Sequence, residues 1–150
     1  MIDPAVPVLL IHSASHRCAL QLSHVVEVLR PQPLQQLAGV PKIVSGLSVI
    51  RGVSMPVVDL AGVFGDTASS PTRLVVIRTG SRYVALAVDS VLGIHRLPAQ
   101  AASELPSLLR DAAAGVVERI GTLDEELLLV LNTSSIISDE VWNSLTAEVH

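Results

Sequence analysis

An internal repeat limits what this chain can fold into more strongly than any other feature of its sequence. Residues 15–30 read SHRCALQLSHVVEVLR, and they align without a gap to residues 81–96, SRYVALAVDSVLGIHR. The offset of 66 residues places Ala19 on Ala85, and identities fall at small and polar positions as well as at Val and Leu. The chain is therefore predicted to be duplicated, with chance similarity between short apolar strands as the alternative.

A second match lies downstream, between residues 46–60, GLSVIRGVSMPVVDL, and residues 115–132, GVVERIGTLDEELLLVLN. This match needs a three-residue insertion in the second copy. Each copy would hold about five strands, and a unit of that size buries too little surface to be stable alone. We therefore expect the two copies to pack around a shared interface.

The strands are predicted from short β-branched apolar segments, which Gly, Pro and Ser interrupt about every ten residues. This pattern is typical of an all-β barrel or sandwich. Hydrophobic residues make up 49% of the 150 residues, enough for a core without disulfides or metal. Residues 101–111 are predicted to be a connector with at most a helical turn, since Pro106 limits a helix there. Ten strands are predicted, at residues 7–11, 17–22, 25–30, 47–51, 55–60, 73–78, 82–88, 91–97, 116–120 and 127–131.

One helix is predicted after the last strand, over residues 138–149. Ser138 can cap its first turn, where Asp139 and Glu140 complement the positive end of the helix dipole. An apolar stripe that includes Trp142 follows at helical spacing. We expect this helix to pack its tryptophan against a barrel.

Composition and charge narrow the possible partners. The formal net charge is −4 and aromatic residues make up 2% of the chain. The chain therefore lacks the positive charge that neutralises a phosphate backbone and the rings that stack on bases. No apolar run reaches the roughly 18 residues that span a bilayer, and the first residues lack the pattern of a signal peptide. We expect a cytosolic protein with neither a nucleic-acid partner nor direct membrane insertion.

No constellation of side chains in the sequence predicts catalysis. Asp59 and Asp89 lack a histidine at a meaningful spacing, so turn capping or backbone hydrogen bonding explains them better. His12 and His16 are four residues apart, but a β-turn is predicted between them and no third metal ligand is evident. Cys18 lies in a predicted strand and is expected to be a buried, inert thiol. A glycine-rich phosphate loop is also absent, so we expect no catalytic, metal or cofactor site.

The repeated segments also carry a resemblance to the CheW-like domain of bacterial chemotaxis adaptors. The resemblance covers residues 7–137 and the final helix. Four motifs carry it in order along the chain: V-x-E-V at 25–28, G-x-x-x-x-R-G at 46–52, P-V-V-D-L at 56–60 and V-D-S-V at 88–91. Because four motifs occur in order with suitable intervals, the similarity is specific.

The resemblance implies a fold and a division of the chain. It implies two SH3-like five-stranded β-barrels around a shared core, in agreement with the duplication. The whole chain, residues 1–150, would be a single CheW-like domain. Its first subdomain would span about residues 7–65 and its second about residues 73–137, followed by the helix at 138–149.

The resemblance also implies a non-enzymatic role. Similar proteins are scaffolds that couple the cytoplasmic tips of chemoreceptors to the regulatory domain of a CheA-type histidine kinase. This implies a cytoplasmic protein recruited to membrane receptor arrays through its partners, with other CheW-like domains as further partners. Leu9, Leu10 and Ile11 replace the usual aromatic residue of the first strand, and Asn132 stands where an Asp often closes the second repeat. These departures suggest an auxiliary member, and they leave flagellar chemotaxis, twitching and other motility open.

Four residues are predicted to contact partners, by analogy with the family: Val25, Glu27, Arg51 and Gly52. Val25 and Glu27 share one face of a strand, where an exposed valine beside a carboxylate could form a small hot spot. A solvated strand face is the alternative. Arg51 follows a strand and could pair with a partner carboxylate, or it could clamp its own turn. A small β-barrel enzyme or ligand-binding module remains the rival function.

Overall fold

The computed structural model describes residues 6–65, 70–97, 102–104, 115–139, 141–143 and 145. These residues form eleven strands, a short helix, two 3₁₀ turns and part of a second helix after Ser138. The strands are β1 (Val6–Ser13), β2 (His16–Gln21), β3 (Val25–Leu29), β4 (Val44–Ile50), β5 (Val53–Asp59), β6 (Arg73–Thr79), β7 (Arg82–Val88), β8 (Ser90–Leu97), β9 (Ala102–Glu104), β10 (Val117–Leu123) and β11 (Glu126–Leu131). The helix α1 is Leu60–Val63, and the 3₁₀ turns are Leu22–His24 and Thr133–Ser135.

All ten predicted strands are present, and one prediction about a connector is wrong. The segment at residues 101–111 holds strand β9 at Ala102–Glu104, where at most a helical turn was expected. This strand pairs antiparallel with β10 around Ile120. Backbone hydrogen bonds to a neighbouring edge thus outweigh local helix propensity in this short segment. Residues 101 and 105–111 lie outside the described part of the chain.

The strands form two sheets with the same internal order. The six-stranded sheet runs β8-β1-β2-β11-β10-β9, and the five-stranded sheet runs β3-β6-β7-β5-β4. Under the repeat, β1 to β5 correspond to β6, β7, β8, β10 and β11. The five common strands of one sheet therefore map onto the other in the same order, and β9 is an addition. The expected fold of two SH3-like units is confirmed.

The sheets do not follow the expected split of the chain into residues 7–65 and 73–137. Each sheet takes its first hairpin from one copy and its other strands from the second copy. The reason lies at the end of β2, where a 3₁₀ turn at Leu22–His24 replaces a hairpin and sends β3 into the opposite sheet. The two copies thereby exchange hairpins, and both halves of the chain are needed to complete either sheet.

Strand register confirms that the copies are equivalent. β2 runs parallel to β11, with Ala19 opposite Val130, and β7 runs parallel to β5, with Ala85 opposite Val57. The two alanines are the residues that the 66-residue offset superposes. A parallel pair at the same place in both sheets would not arise from chance similarity between apolar strands, so the duplication is structural.

Side-chain alternation divides the interior into three layers. On β1, β2, β6 and β7, one face points into the strand's own sheet unit and the other into a core shared by the two sheets. Cys18 and Leu20 belong to the shared core, while Ala19 between them faces the interior of the six-stranded unit. Because these strands are buried on both faces, they consist of continuous apolar runs. The shared core contains the following buried residues: Leu9, Ile11, Cys18, Leu20, Val58, Leu60, Val75, Ile77, Val84, Leu86, Val88, Val116, Val117, Leu131, Ile136 and Ile137.

The end of the chain forms the predicted helical segment, described at residues 139, 141–143 and 145. Ser138 caps it, since its side-chain oxygen accepts a hydrogen bond from the Val141 N–H at 3.3 Å. Trp142 packs against the shared core and Leu145 is buried. The expected packing of the tryptophan is confirmed, and residues 140, 144 and 146–149 lie outside the described part.

Candidate functional site

The edge strand β3 carries two of the predicted partner-binding residues. It pairs only with β6, so its other edge is unpaired within the described sheets. Val25 is partly buried against the shared core, whereas Val26 and Val28 are 48% and 40% exposed. The register shift between Val25 and Glu27 leaves Val26 as a β-bulge. Val26 and Val28 are thus the exposed apolar residues of this strand, whereas the sequence predicted an exposed Val25.

Glu27 and Arg51 form an ion pair that sequence reasoning did not bring together. The Arg51 Nε–H group donates to the Glu27 carboxylate, at 3.0 Å to Oε1 and 2.8 Å to Oε2. Hydrogen bonding to this carboxylate, followed by its charge, raises the pKa of Arg51. The pair connects β3 to the β4–β5 turn across 24 positions of sequence, which local patterns cannot reveal.

The β4–β5 turn holds Arg51 in a particular backbone conformation. Arg51 and Gly52 are the two residues of the turn, with φ values of 51° and 79°. Positive φ at both positions is what a type I′ hairpin turn requires, and only Gly52 adopts it without steric cost. The Arg51 side chain remains 74% exposed while it holds Glu27, which is 23% exposed. The arginine therefore holds its own turn and also presents charge to solvent.

A second edge strand, β8, reproduces part of this surface. Among the described strands, β8 pairs only with β1, and the register shift between Leu10 and Ile11 leaves Leu92 as a bulge. Leu92 and Ile94 are 46% and 62% exposed. The 66-residue offset places them on the two exposed valines of β3. Both sheets therefore end in a bulged edge strand with an exposed apolar pair at the same positions.

The two edges differ in charge. Gly93, with φ of 127°, occupies the position on β8 that corresponds to Glu27. The hairpin turn between β10 and β11, equivalent to the Arg51 turn, contains Asp124 and Glu125. The carboxylate–arginine pair thus belongs to the β3 edge, and two acidic residues take the place of the arginine turn on the other copy.

Other residues weighed in the sequence have structural surroundings. Cys18 is fully buried, and loss of hydration raises the pKa of its thiol to about 12, in agreement with an inert side chain. Asp59 is the N-cap residue of α1. His12 Nδ1 lies 3.9 Å from Asp89 Oδ2, and the His16 ring stacks edge-on against Phe64. In the described part of the chain, no three His, Cys, Asp or Glu side chains converge as metal ligands.

A cavity of about 740 Å³ lies where the β6–β7 turn faces the segment after β11. Its lining includes His24, Arg82, Thr133 and Asp139. The Thr133 hydroxyl and His24 Nδ1 are 2.8 Å apart, which joins the 3₁₀ turns that follow β11 and β2. Arg82 Nη1 lies 3.2 Å from Asp139 Oδ1. Polar groups of the lining are thus paired with each other across the junction of the sheets.

None of the described helices is long and apolar enough to cross a bilayer. Most of the exposed large apolar residues lie instead on strands, as on β3 and β8. An edge strand offers backbone hydrogen-bonding groups together with alternate side chains, the combination that proteins use to bind other proteins. The geometry therefore favours a protein-binding surface on each sheet.

Comparisons with known proteins agree with this geometry. The sequence profile of the CheW-like domain matches residues 7–141. The chain is 25% identical over 124 residues to the chemotaxis protein CheW of Klebsiella aerogenes, covering 77% of this chain and 75% of that protein. It is 36% identical over 129 residues to protein FrzA of Myxococcus xanthus, covering 81% and 78%.

Two further similarities extend the comparison. Protein PilI of Pseudomonas aeruginosa is 36% identical over 91 residues, which cover 58% of this chain and 51% of that protein. The crystal structure of the scaffolding protein TtCheW from Thermoanaerobacter tengcongensis superposes with a TM-score of 0.76 at 20% identity, covering 85% of this chain and 89% of that chain. The structural likeness shows the shared fold.

Proposed function

The chain belongs to the CheW-like domain family of chemotaxis and motility adaptors, and on that basis we propose that it couples chemoreceptors to a CheA-type histidine kinase. The role is that of a non-enzymatic scaffold. Its partners are the cytoplasmic receptor tip, the kinase regulatory domain and other CheW-like domains. It acts in the cytoplasm and reaches receptor arrays through these partners.

The observation that carries the proposal is the pair of equivalent edge strands. β3 ends one sheet and β8 the other, and each exposes a bulged apolar pair. The shared core links the sheets, so two partners bound at these edges are held in a fixed relation. Simultaneous binding of this kind raises the effective concentration of one partner for the other.

The β3 edge and its neighbouring turn are proposed as the receptor surface. Val26 and Val28 supply exposed apolar area, and the Glu27–Arg51 pair supplies a charged border beside it. An apolar centre with a polar rim is the usual anatomy of a protein interface. Val25 supports the strand from the core side, and Gly52 gives the turn its conformation. The choice of the receptor follows the family analogy for Val25 and Glu27.

The β8 edge is proposed as the surface for the kinase regulatory domain. Leu92 and Ile94 expose more apolar area than the valines of β3, and Gly93 places no charged side chain between them. The centre of this edge should therefore bind through apolar contact, whereas the β3 edge carries the Glu27–Arg51 ion pair at its centre.

The test is a pair of matched charge insertions. Val28→Asp on β3 and Ile94→Asp on β8 each place a carboxylate in an exposed apolar pair at equivalent positions. Binding of a receptor-tip fragment and of the kinase regulatory domain would be measured by titration. Val28→Asp should abolish receptor binding alone, and Ile94→Asp should abolish kinase binding alone.

Leu127→Asp is the control, because Leu127 is 52% exposed but lies on β11, which β1 and β2 separate from β8 in the same sheet. It should bind both partners like the unaltered chain. The proposal fails if Val28→Asp and Ile94→Asp both bind like the control, or if each weakens both partners equally.

A further inference from the structure

The segment that ends the chain reaches across the junction of the two sheets. It follows β11 of the six-stranded sheet through the turn at Thr133–Ser135 and begins its helix at Ser138. Trp142 packs on the shared core and Leu145 is buried. The backbone N–H group of Trp142 donates to the Ser138 carbonyl oxygen at 3.0 Å. The helix thus covers one end of the interface between the sheets.

Arg82, in the five-stranded sheet, contacts this helix at its tryptophan. It is the first residue of β7, and its guanidinium carbon lies 4.9 Å from the centroid of the Trp142 ring. Tryptophan gives the strongest cation–π contacts of the aromatic residues, and a planar guanidinium can stack on it. Arg82 also pairs with Asp139, but that side chain is 92% exposed. Solvent weakens such an exposed ion pair, so the stacking contact should dominate.

The other copy contains an equivalent contact with different chemistry. The 66-residue offset places Arg82 on His16, the first residue of β2. The His16 ring centroid lies 5.2 Å from that of Phe64, at an angle of 70°. Phe64 follows α1 after β5, as Trp142 follows β11. In both copies, an aromatic residue that follows the last strand therefore contacts a side chain of the other sheet.

The cavity of about 740 Å³ lies beside this contact, between the β6–β7 turn and the segment after β11. Arg82 and Asp139 both line it, together with His24 and Thr133. The Arg82 contact with the helix therefore lies at the wall of this cavity. We propose that Arg82 is a latch, which holds the C-terminal helix against the five-stranded sheet by stacking on Trp142 and so adds a second constraint on the orientation of the sheets to that of the shared core. Detachment of the helix would remove this second constraint between β3 and β8.

Amide hydrogen exchange of Trp142 tests the latch directly, because its N–H bond is part of the helix. Arg82→Ala should speed this exchange about two- to thirtyfold, the range that corresponds to loss of a cation–π contact. Amides in the middle of β7 should exchange as before. An unchanged rate at Trp142 would overturn the proposal.

Three further variants separate the stacking contact from the ion pair and from the equivalent contact of the other copy. Arg82→Lys keeps the positive charge but loses the planar guanidinium, so it should raise the exchange rate of the Trp142 amide less than Arg82→Ala does. It also replaces Arg82→Ala in the test if that variant does not fold. No increase in Arg82→Lys would then overturn the latch. Asp139→Asn removes the ion pair and also a charge that favours the first turn of the helix, so Arg82→Ala is repeated in the Asp139→Asn background. Arg82→Ala should still speed the exchange of Trp142 there, and loss of that effect would transfer the role to the ion pair and overturn the stacking assignment. His16→Ala is the matched control and should leave Trp142 exchange unchanged.

The consequence for docking rests on the proposed function. Arg82→Ala should bind receptor tip and kinase domain separately like the unaltered chain, but bind them together more weakly. Equal simultaneous binding would contradict this consequence. Absence of binding by the unaltered chain would refute the proposed function, whereas the exchange rates decide the latch independently.

Discussion

The edges β3 and β8 share a backbone plan but differ in chemistry. Both are bulged, and both expose an apolar pair, Val26 with Val28 on one and Leu92 with Ile94 on the other. The Glu27–Arg51 pair accompanies only the first. Duplication thus supplied two surfaces of one geometry, and a few substitutions at the centre of the edge and in the adjacent turn make these surfaces chemically distinct.

The largest expected effect concerns the core that both edges depend on. Leu20 and Leu86 are equivalent under the repeat, and both are fully buried in the shared core. Leu20→Ala and Leu86→Ala should each lower the free energy of unfolding by about 2–5 kcal/mol, because each leaves a cavity. Urea denaturation should show one cooperative transition in both variants.

Separate unfolding transitions for the two sheets would contradict the claim that the shared core makes them one cooperative unit. They would show that the copies are independent units despite their exchanged hairpins. The edges β3 and β8 would then move independently, and a rigid arrangement of two partners would be untenable.

A smaller effect is expected at the centre of the β8 edge. Gly93→Ala should destabilise the protein by about 1–2 kcal/mol, since φ of 127° is unfavourable for any residue with a Cβ atom. Space is available, because no atom outside the neighbouring residues lies within 4 Å of an added Cβ. A thermal melt measures the change. An alanine variant as stable as the original would show that the bulge is not fixed by this glycine.

The smallest change in stability is expected at Cys18, whose equivalent in the second copy is Val84. Both side chains are buried in the shared core, so Cys18→Val should alter the free energy of unfolding by less than about 1.5 kcal/mol. Chemical denaturation of the two proteins measures the difference. A larger loss would show that the two faces of the shared core are not interchangeable at this position.

The same cysteine predicts how stability depends on pH. Its pKa is raised by burial to about 12 from an ordinary value of 9.0, so the folded state binds the thiol proton more tightly than the unfolded state. This stabilisation is complete below the unfolded pKa and is lost as pH rises from about 9 toward 12. The stability of Cys18→Val relative to the original chain should therefore increase over that range. A constant difference between pH 8 and pH 11 would contradict the burial of the thiol.

Sequence periodicity predicted the strands well but could not assign them to sheets. Alternation identifies which face of a strand is apolar, and not which strand lies beside it, so the exchange of hairpins at Leu22–His24 was hidden. Burial alternates regularly along β3, with Val26 and Val28 exposed and Val25 half-buried, and alternation alone does not tell which of the two faces meets the core. Ser138 and Trp142 were predictable because a helix cap and its apolar stripe are local signals. The Glu27–Arg51 pair depends on the folded sheet and has no such signal.

The most direct test of the central claim is the affinity of the receptor tip for a charge-exchanged protein. Glu27→Arg combined with Arg51→Glu keeps an ion pair between β3 and the turn but reverses the charge offered to a partner. If Arg51 contacts the receptor, this double variant should fold normally and bind at least about tenfold more weakly, as should Arg51→Ala. Arg17→Ala, which breaks the separate Arg17–Glu126 pair, should bind normally. Full affinity in the charge-exchanged protein would contradict the account, because it would show that Arg51 serves only to hold its own turn.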